Sequence, residues 1–216
     1  MDNIYIVNKI TKGELQINGK ADSHIWQQAN ILESFRSPWD SKVIKKIDFR
    51  ALWDEYKLFF CFKVYDSEVH IHPSKNINDS INNSDRVELF FKKDDTMNPY
   101  YCLEIDPTSR IMDFKAYPQK VFDFDWEWPS KDIVVKSSIE KQYFIVEIAI
   151  SINSLESFNL IKDGKIETGI YRAKYNKNEK GVYEPTWICW IDPKTESPNF
   201  HIATSFGVLQ LENYFE

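Results

Sequence analysis

The chain has 216 residues, 43% of them hydrophobic, 28% charged and 15% aromatic, with a formal net charge of −6. Such a balance supports a buried core and argues against nucleic acid or an anionic membrane surface as partner, since both want a basic face. No apolar run reaches membrane-spanning length, and the opening MDNIYIVNKITKG lacks the basic-then-apolar order of an export signal. A cytoplasmic protein is therefore expected, or an extracellular or periplasmic one if the chain is a trimmed mature form.

In chain order, HIWQQANILESF (24–35) places Ile25, Ala29 and Leu32 at a spacing that suits a helical turn or two. LFFCFKVYD (58–66) follows a Trp-Asp-Glu-Tyr turn and has the length of a buried strand. EVHIH then sets Glu68, His70 and His72 on one strand face. Two imidazoles and a carboxylate suit zinc or non-haem iron, while strand-end histidines are commonly just exposed. DRVELFFK (85–92) alternates, with Val87, Leu89 and Phe91 on one face and Arg86, Glu88 and Phe90 on the other. YYCLEID puts Tyr101, Leu103 and Ile105 on one face and Cys102, Glu104 and Asp106 on the other. DPTS turns the chain into RIMDFKAY. FDFDWEWP (122–129) carries Trp126 and Trp128 on the same side if extended. They form either an aromatic platform or packing over one end of the fold.

DIVVKSSI and YFIVEIAIS read as a hairpin, and NSLESFNL as a short helix capped by Asn153 or Ser154. KIETGIYRAKYN, TWICWID and FGVLQLE complete the strands, with Trp187 and Trp190 as structural residues. Only six glycines are present, so the turns lean on Asn, Asp, Ser and Pro. No linker or repeat divides the chain. The expectation is one all-β domain over 1–216, a two-sheet antiparallel sandwich of jelly-roll type with short helices only. Cys61, Cys102 and Cys189 have neither metal-binding nor disulfide spacing and read as buried free thiols.

If their strands pair, Glu88, Glu104 and Asp106 share one sheet face. They form a solvated polar face neutralised by Lys63 or Lys115, a ligand site, or an oxygen-rich calcium site. No nucleophile elbow, zinc-protease helix, P-loop or dinucleotide fingerprint occurs, so the chain does not read as an enzyme.

Taken in order, INGKADSHIWQQA, LWDEYKLFFCFKVYDSEV, SDRVELFF, YFIVEIAIS, and WIDP with FGVLQL resemble the signatures of the family 9 carbohydrate-binding modules. The likeness spans about 16–211, and the SPNFH…FG ending looks most like the uncharacterised family 9-like branch. The resemblance implies a β-sandwich that binds a glycan without cleaving it, with aromatic faces stacked on sugar C–H faces and carboxylates accepting from hydroxyls. It implies a sugar-binding role for Glu88. It sets Glu104 and Asp106 where relatives carry Arg and Asn, Asn82 near the first platform tryptophan, and Phe200 and His201 near the second. It also implies a structural calcium ion, with no ligands assigned. An acidic site of this kind is expected to prefer neutral or amino sugars, and Glu88, facing away from the core, to matter little for stability.

Two other readings remain. Related sandwiches of DOMON type hold haem b between Met, His or Lys, and Met97, Met112 and four histidines are present. A scaffold that has lost its sugar site and binds protein is the third.

Overall fold

Alternation of side chains decides which faces meet. The computed structural model describes residues 3–215. Its strands are β1 (Ile4–Lys9), β2 (Ile47–Trp53), β3 (Lys57–Val64), β4 (Arg86–Lys92), β5 (Tyr100–Ile105), β6 (Ile111–Tyr117), β7 (Val121–Asp123), β8 (Ile133–Ile139), β9 (Phe144–Ser151), β10 (Lys165–Lys177), β11 (Tyr183–Cys189) and β12 (Gly207–Leu211). Two α-helices are short: α1 (Ile77–Asn82) and α2 (Ile152–Ser157). The Ser151 side chain caps α2 by accepting from Ser154 N–H at 3.0 Å.

One sheet runs β7-β6-β5-β4-β10-β12-β1, with β11 beside the far half of β10. The other runs β1-β2-β3-β9-β8. The expected sandwich is therefore present, with one difference. β1 pairs in parallel with both β12 and β2, so a single strand joins the two sheets into one curled surface. All other ladders are antiparallel.

Between the sheets lies the main core, which takes Val87, Leu89 and Phe91 from β4 and Leu103 and Ile105 from β5. Each sheet is also covered on its outer face. Over β2, β3 and β9 lie Leu15, Ile25 and Trp26 of the N-terminal segment. Of the expected helix at 24–35, only the 3-10 turn His24–Gln28 forms. Leu32 instead bridges Phe49 of β2, because a strand edge was free to take its backbone hydrogen bonds. One end of the sandwich holds a cluster of buried side-chain ion pairs. Asp66 is held by Arg172 and by Lys174 at 2.9 Å, and Lys174 also reaches Asp85 at 3.0 Å.

The three cysteines are free and buried. Burial pushes all three thiols up, Cys189 to about 12, and only a thiolate reacts readily. Ellman's reagent is expected to label none of them in the folded protein and all three in denaturant. Labelling of only one after denaturation would show a disulfide instead.

Candidate functional site

The outer face of the β4–β5–β6 sheet is not a solvated surface. Phe90 of β4, Tyr100 and Cys102 of β5, Met112 and Phe114 of β6, and Tyr171 of β10 form a second apolar layer there. α1 stands on one side and the loop 193–206 on the other. Between them opens a cavity of about 570 Å³.

Arg86, Glu88 and Glu104 form its floor. Glu88 and Glu104 lie directly opposite in the ladder of β4 and β5. The Arg86 Nε stands between them, 2.9 Å from Glu88 Oε1 and 2.6 Å from Glu104 Oε2. Its guanidinium also donates to the Asn82 carbonyl at 2.7 Å, which ties the floor to the end of α1. The neutralising cation is thus Arg86, two residues from Glu88 on the same strand face, and not Lys63 or Lys115. Burial, and for Glu88 the facing Glu104 charge, pushes both carboxyls up despite Arg86. Glu88 is only 2% exposed. The premise that Glu88 faces open solvent is corrected, because this face has a roof of its own, and Glu88→Ala is therefore expected to cost stability.

Phe200 and His201 reach the cavity, but Phe200 is not an open platform. Its face is stacked on Tyr171, with ring centroids 4.1 Å apart and planes 8° apart, and Trp187 meets its edge. Tyr171 in turn lies over Gly169, where a Cβ would sit 2.0 Å from the phenol oxygen. His201 stacks on Phe90 and shares a hydrogen bond of 2.9 Å between its Nδ1 and the Tyr100 hydroxyl. Burial, with Lys120 and Arg86 adding to it, lowers its pKa to about 4, so its ring is neutral at pH 7. The accessible aromatic walls are Phe122, Phe124 and Trp187. Asn82 lines the rim with Asn76, Asn78 and Asp79.

Three expected site residues lie elsewhere. Asp106 is buried in the turn after β5. Its carboxylate accepts from Thr108 N–H at 2.9 Å and Arg110 Nε at 2.7 Å, because the chain turns back at this point and the acid satisfies the turn. Trp126 and Trp128 pack with Tyr101 and Phe158 over one end of the main core. Trp128 N–H donates to Asp113 at 2.6 Å and its indole to Ser154 Oγ at 3.2 Å. β7 ends at Asp123, and the turn there sends the tryptophans away while Phe122 and Phe124 stay.

The carboxylates do not suit calcium. Glu88 and Glu104 are engaged with Arg86, Asp106 is taken up by Thr108 and Arg110, and among the described residues no group of three or more His, Cys, Asp or Glu is placed to hold a metal ion. Nor does EVHIH form a centre: His70 is stacked on Tyr183 at 3.6 Å.

An all-β sandwich with a polar-floored, aromatic-walled pocket on one sheet has the form of a carbohydrate-binding module. The chain belongs to the carbohydrate family 9 binding domain-like family, whose profile matches residues 17–214. Carbohydrate binding is the function this membership carries. The fold is similar to a candidate carbohydrate-binding protein from Bacteroides uniformis ATCC 8492, with 16% identity, a TM-score of 0.74, and 97% of this chain and 99% of that one covered. It is also similar to a family 9 carbohydrate-binding module from Caldicellulosiruptor kristjanssonii, again at 16% identity. The glucose complex of that module gives a TM-score of 0.64 over 97% of this chain and 95% of that one. The cellotriose complex gives 0.62 over 97% and 93%. No curated protein is a significant match to the sequence.

Proposed function

We propose that the cavity over β4, β5 and β6 is the sugar site, and that it binds a pyranose without cleaving it. One observation carries this reading: a buried Arg86–Glu88–Glu104 floor lies beneath accessible aromatic side chains in a cavity of about 570 Å³. That size suits a small ligand, whose sites run to roughly 300–1,000 Å³. The charged floor offers acceptors and donors to hydroxyls, and Phe122, Phe124 and Trp187 offer ring faces to C–H groups. The solved complexes of the C. kristjanssonii module with glucose and cellotriose support a glucose-type unit as ligand.

A binding role without catalysis fits the floor. A glycosidase needs one carboxyl as acid and another as base or nucleophile, each free to change protonation during turnover. Here both are fastened to one guanidinium.

Titration calorimetry with glucose and cellotriose on the intact chain tests the reading. Affinity is expected to be modest, because an aromatic stacking contact is worth ~1–3 kcal/mol. Phe124 is 49% exposed, so Phe124→Ala is expected to weaken binding by about tenfold, near 1.4 kcal/mol, while leaving the melting temperature unchanged. Full affinity in this variant, with a loss in Trp126→Ala, would move the site to the tryptophan cluster. The haem reading keeps one observation in its favour, since Met112 and His201 line the same cavity. A Soret band in the purified protein would put it ahead of sugar.

A further inference from the structure

We propose that this pocket prefers a pyranose bearing a free ammonium group, an amino sugar, over its neutral or acetylated counterpart. The inference rests on the cavity being the sugar site and names the class of sugar it takes.

With both carboxyls ionised, the charges on its floor do not balance. Glu88 and Glu104 are 2% and 5% exposed and share one guanidinium. Arg86 also donates to the Asn82 carbonyl and lies 5.4 Å from the Trp187 ring, so it is already committed. Glu88 Oε1 and Glu104 Oε2 lie at ion-pair distance from the single Arg86 Nε without a hydrogen bond between them, and among the described residues no hydrogen bond engages either acid's other oxygen. Asp79 of α1 adds a third acid at the mouth. The remaining titratable neighbours do not restore balance. His201 is held neutral, Tyr175 from β10 presents a phenol, and Lys120 lies beyond His201, lining with Pro198 and Asn199 an adjoining opening and not the floor itself.

A neutral sugar leaves only a proton to neutralise this excess acid. An ammonium group supplies the missing partner, and buried acceptors without one are costly. The aromatic walls favour the same ligand, because a ring face attracts a cation. Burial, then the Glu104 charge, holds the Glu88 carboxyl above the ordinary carboxylate range, and burial does the same for Glu104. The empty pair therefore takes up a proton more readily than free carboxyls do, and an arriving ammonium competes with that proton. Affinity for the protonated amine should rise as pH climbs from 5 to 7, while that for a neutral sugar should not.

The test is titration calorimetry of the intact chain at pH 6 and 7 with four probes: D-glucosamine, D-glucose, N-acetyl-D-glucosamine and cyclohexylamine. Glucosamine is expected to bind at least about tenfold more tightly than each of the others, as charge complementarity at a buried site predicts. Its binding heat should vary with the buffer, reporting proton release. Glu104→Gln should bring glucosamine down to the level of glucose. If that variant does not fold, Asp79→Asn at the exposed mouth should still reduce the preference by about twofold, as a partly screened charge would. Equal binding of glucose and glucosamine would overturn the amino-sugar preference and leave the sugar site standing. Cyclohexylamine binding as tightly as glucosamine would overturn it too, since the pyranose would then be irrelevant. No binding of any sugar would remove both readings together.

Discussion

Arg86→Ala is expected to cost about 3–5 kcal/mol, the usual penalty for removing one partner of a buried ionic group. The variant leaves Glu88 and Glu104 facing each other in the ladder with no cation between them. It also frees the Asn82 carbonyl at the end of α1. In a domain of this size the loss corresponds to a fall of about 6–20 °C in melting temperature. The deficit should grow with pH. Both carboxyls are already raised in the folded protein, and removing the guanidinium raises them further. Stability linked to such groups is present below their unfolded pKa and is lost as pH rises through the folded one. Melts at pH 5 and pH 8 should therefore separate Arg86→Ala from the parent more widely at pH 8. Adding Glu88→Gln and Glu104→Gln should recover much of the loss. A melting temperature within about 2 °C of the parent at both pH values would show that the floor is not an ionic unit.

Gly169→Ala should damage both stability and binding. Gly169 sits in the middle of β10, opposite Phe90 of β4, with the Tyr171 ring folded over it. A Cβ would come within 2.0 Å of the phenol oxygen and 2.3 Å of Cζ. The ring has no easy escape. It is fully buried, it hydrogen-bonds Ser205 Oγ at 2.6 Å, and its face supports Phe200. One added methyl group must therefore displace a stacked pair, not a mobile side chain. Overpacking of this kind costs about 1–3 kcal/mol, and Phe200 would move with Tyr171. Urea unfolding and sugar titration of the same variant should show both losses. A change in stability under ~0.5 kcal/mol, the range of ordinary surface substitutions, would mean the strand can shift to make room.

Much of this architecture is written in side-chain alternation. β4, β5 and β9 separate their two faces residue by residue, so Glu88 and Glu104 are legible as neighbours once their strands pair. β1 and β2 are harder, because IYIVNK and IDFRALW gain their strand character from partners far away in the chain. α1 is hidden as well: its start, Asn76 accepting from Asp79 N–H, is a short local cap inside a polar stretch. In the site, Arg86 shares the Glu88 strand face, and that spacing alone names the partner. The choice between the phenylalanines and tryptophans of FDFDWEWP is not local. All four alternate with one parity, and only the turn after Asp123 divides them between pocket and core. Likewise Phe200 is visible as an aromatic in the right loop, but nothing in SPNFH shows that Tyr171 will cover its face.

The position of β1 has a consequence for how the molecule assembles. The strand linking the two sheets comes from the beginning of the chain, and its neighbour in the first sheet, β12, comes from near the other extremity. A ribosome releasing this chain must hold β1 without that neighbour until Leu211 has emerged. Hairpins such as β2–β3 and β4–β5 can form as soon as they are made, but joining them into one closed body waits for the most distant pairing. Contacts of such sequence separation make folding slow, and the open edge of β10, which β12 will later occupy, stays available to other chains meanwhile.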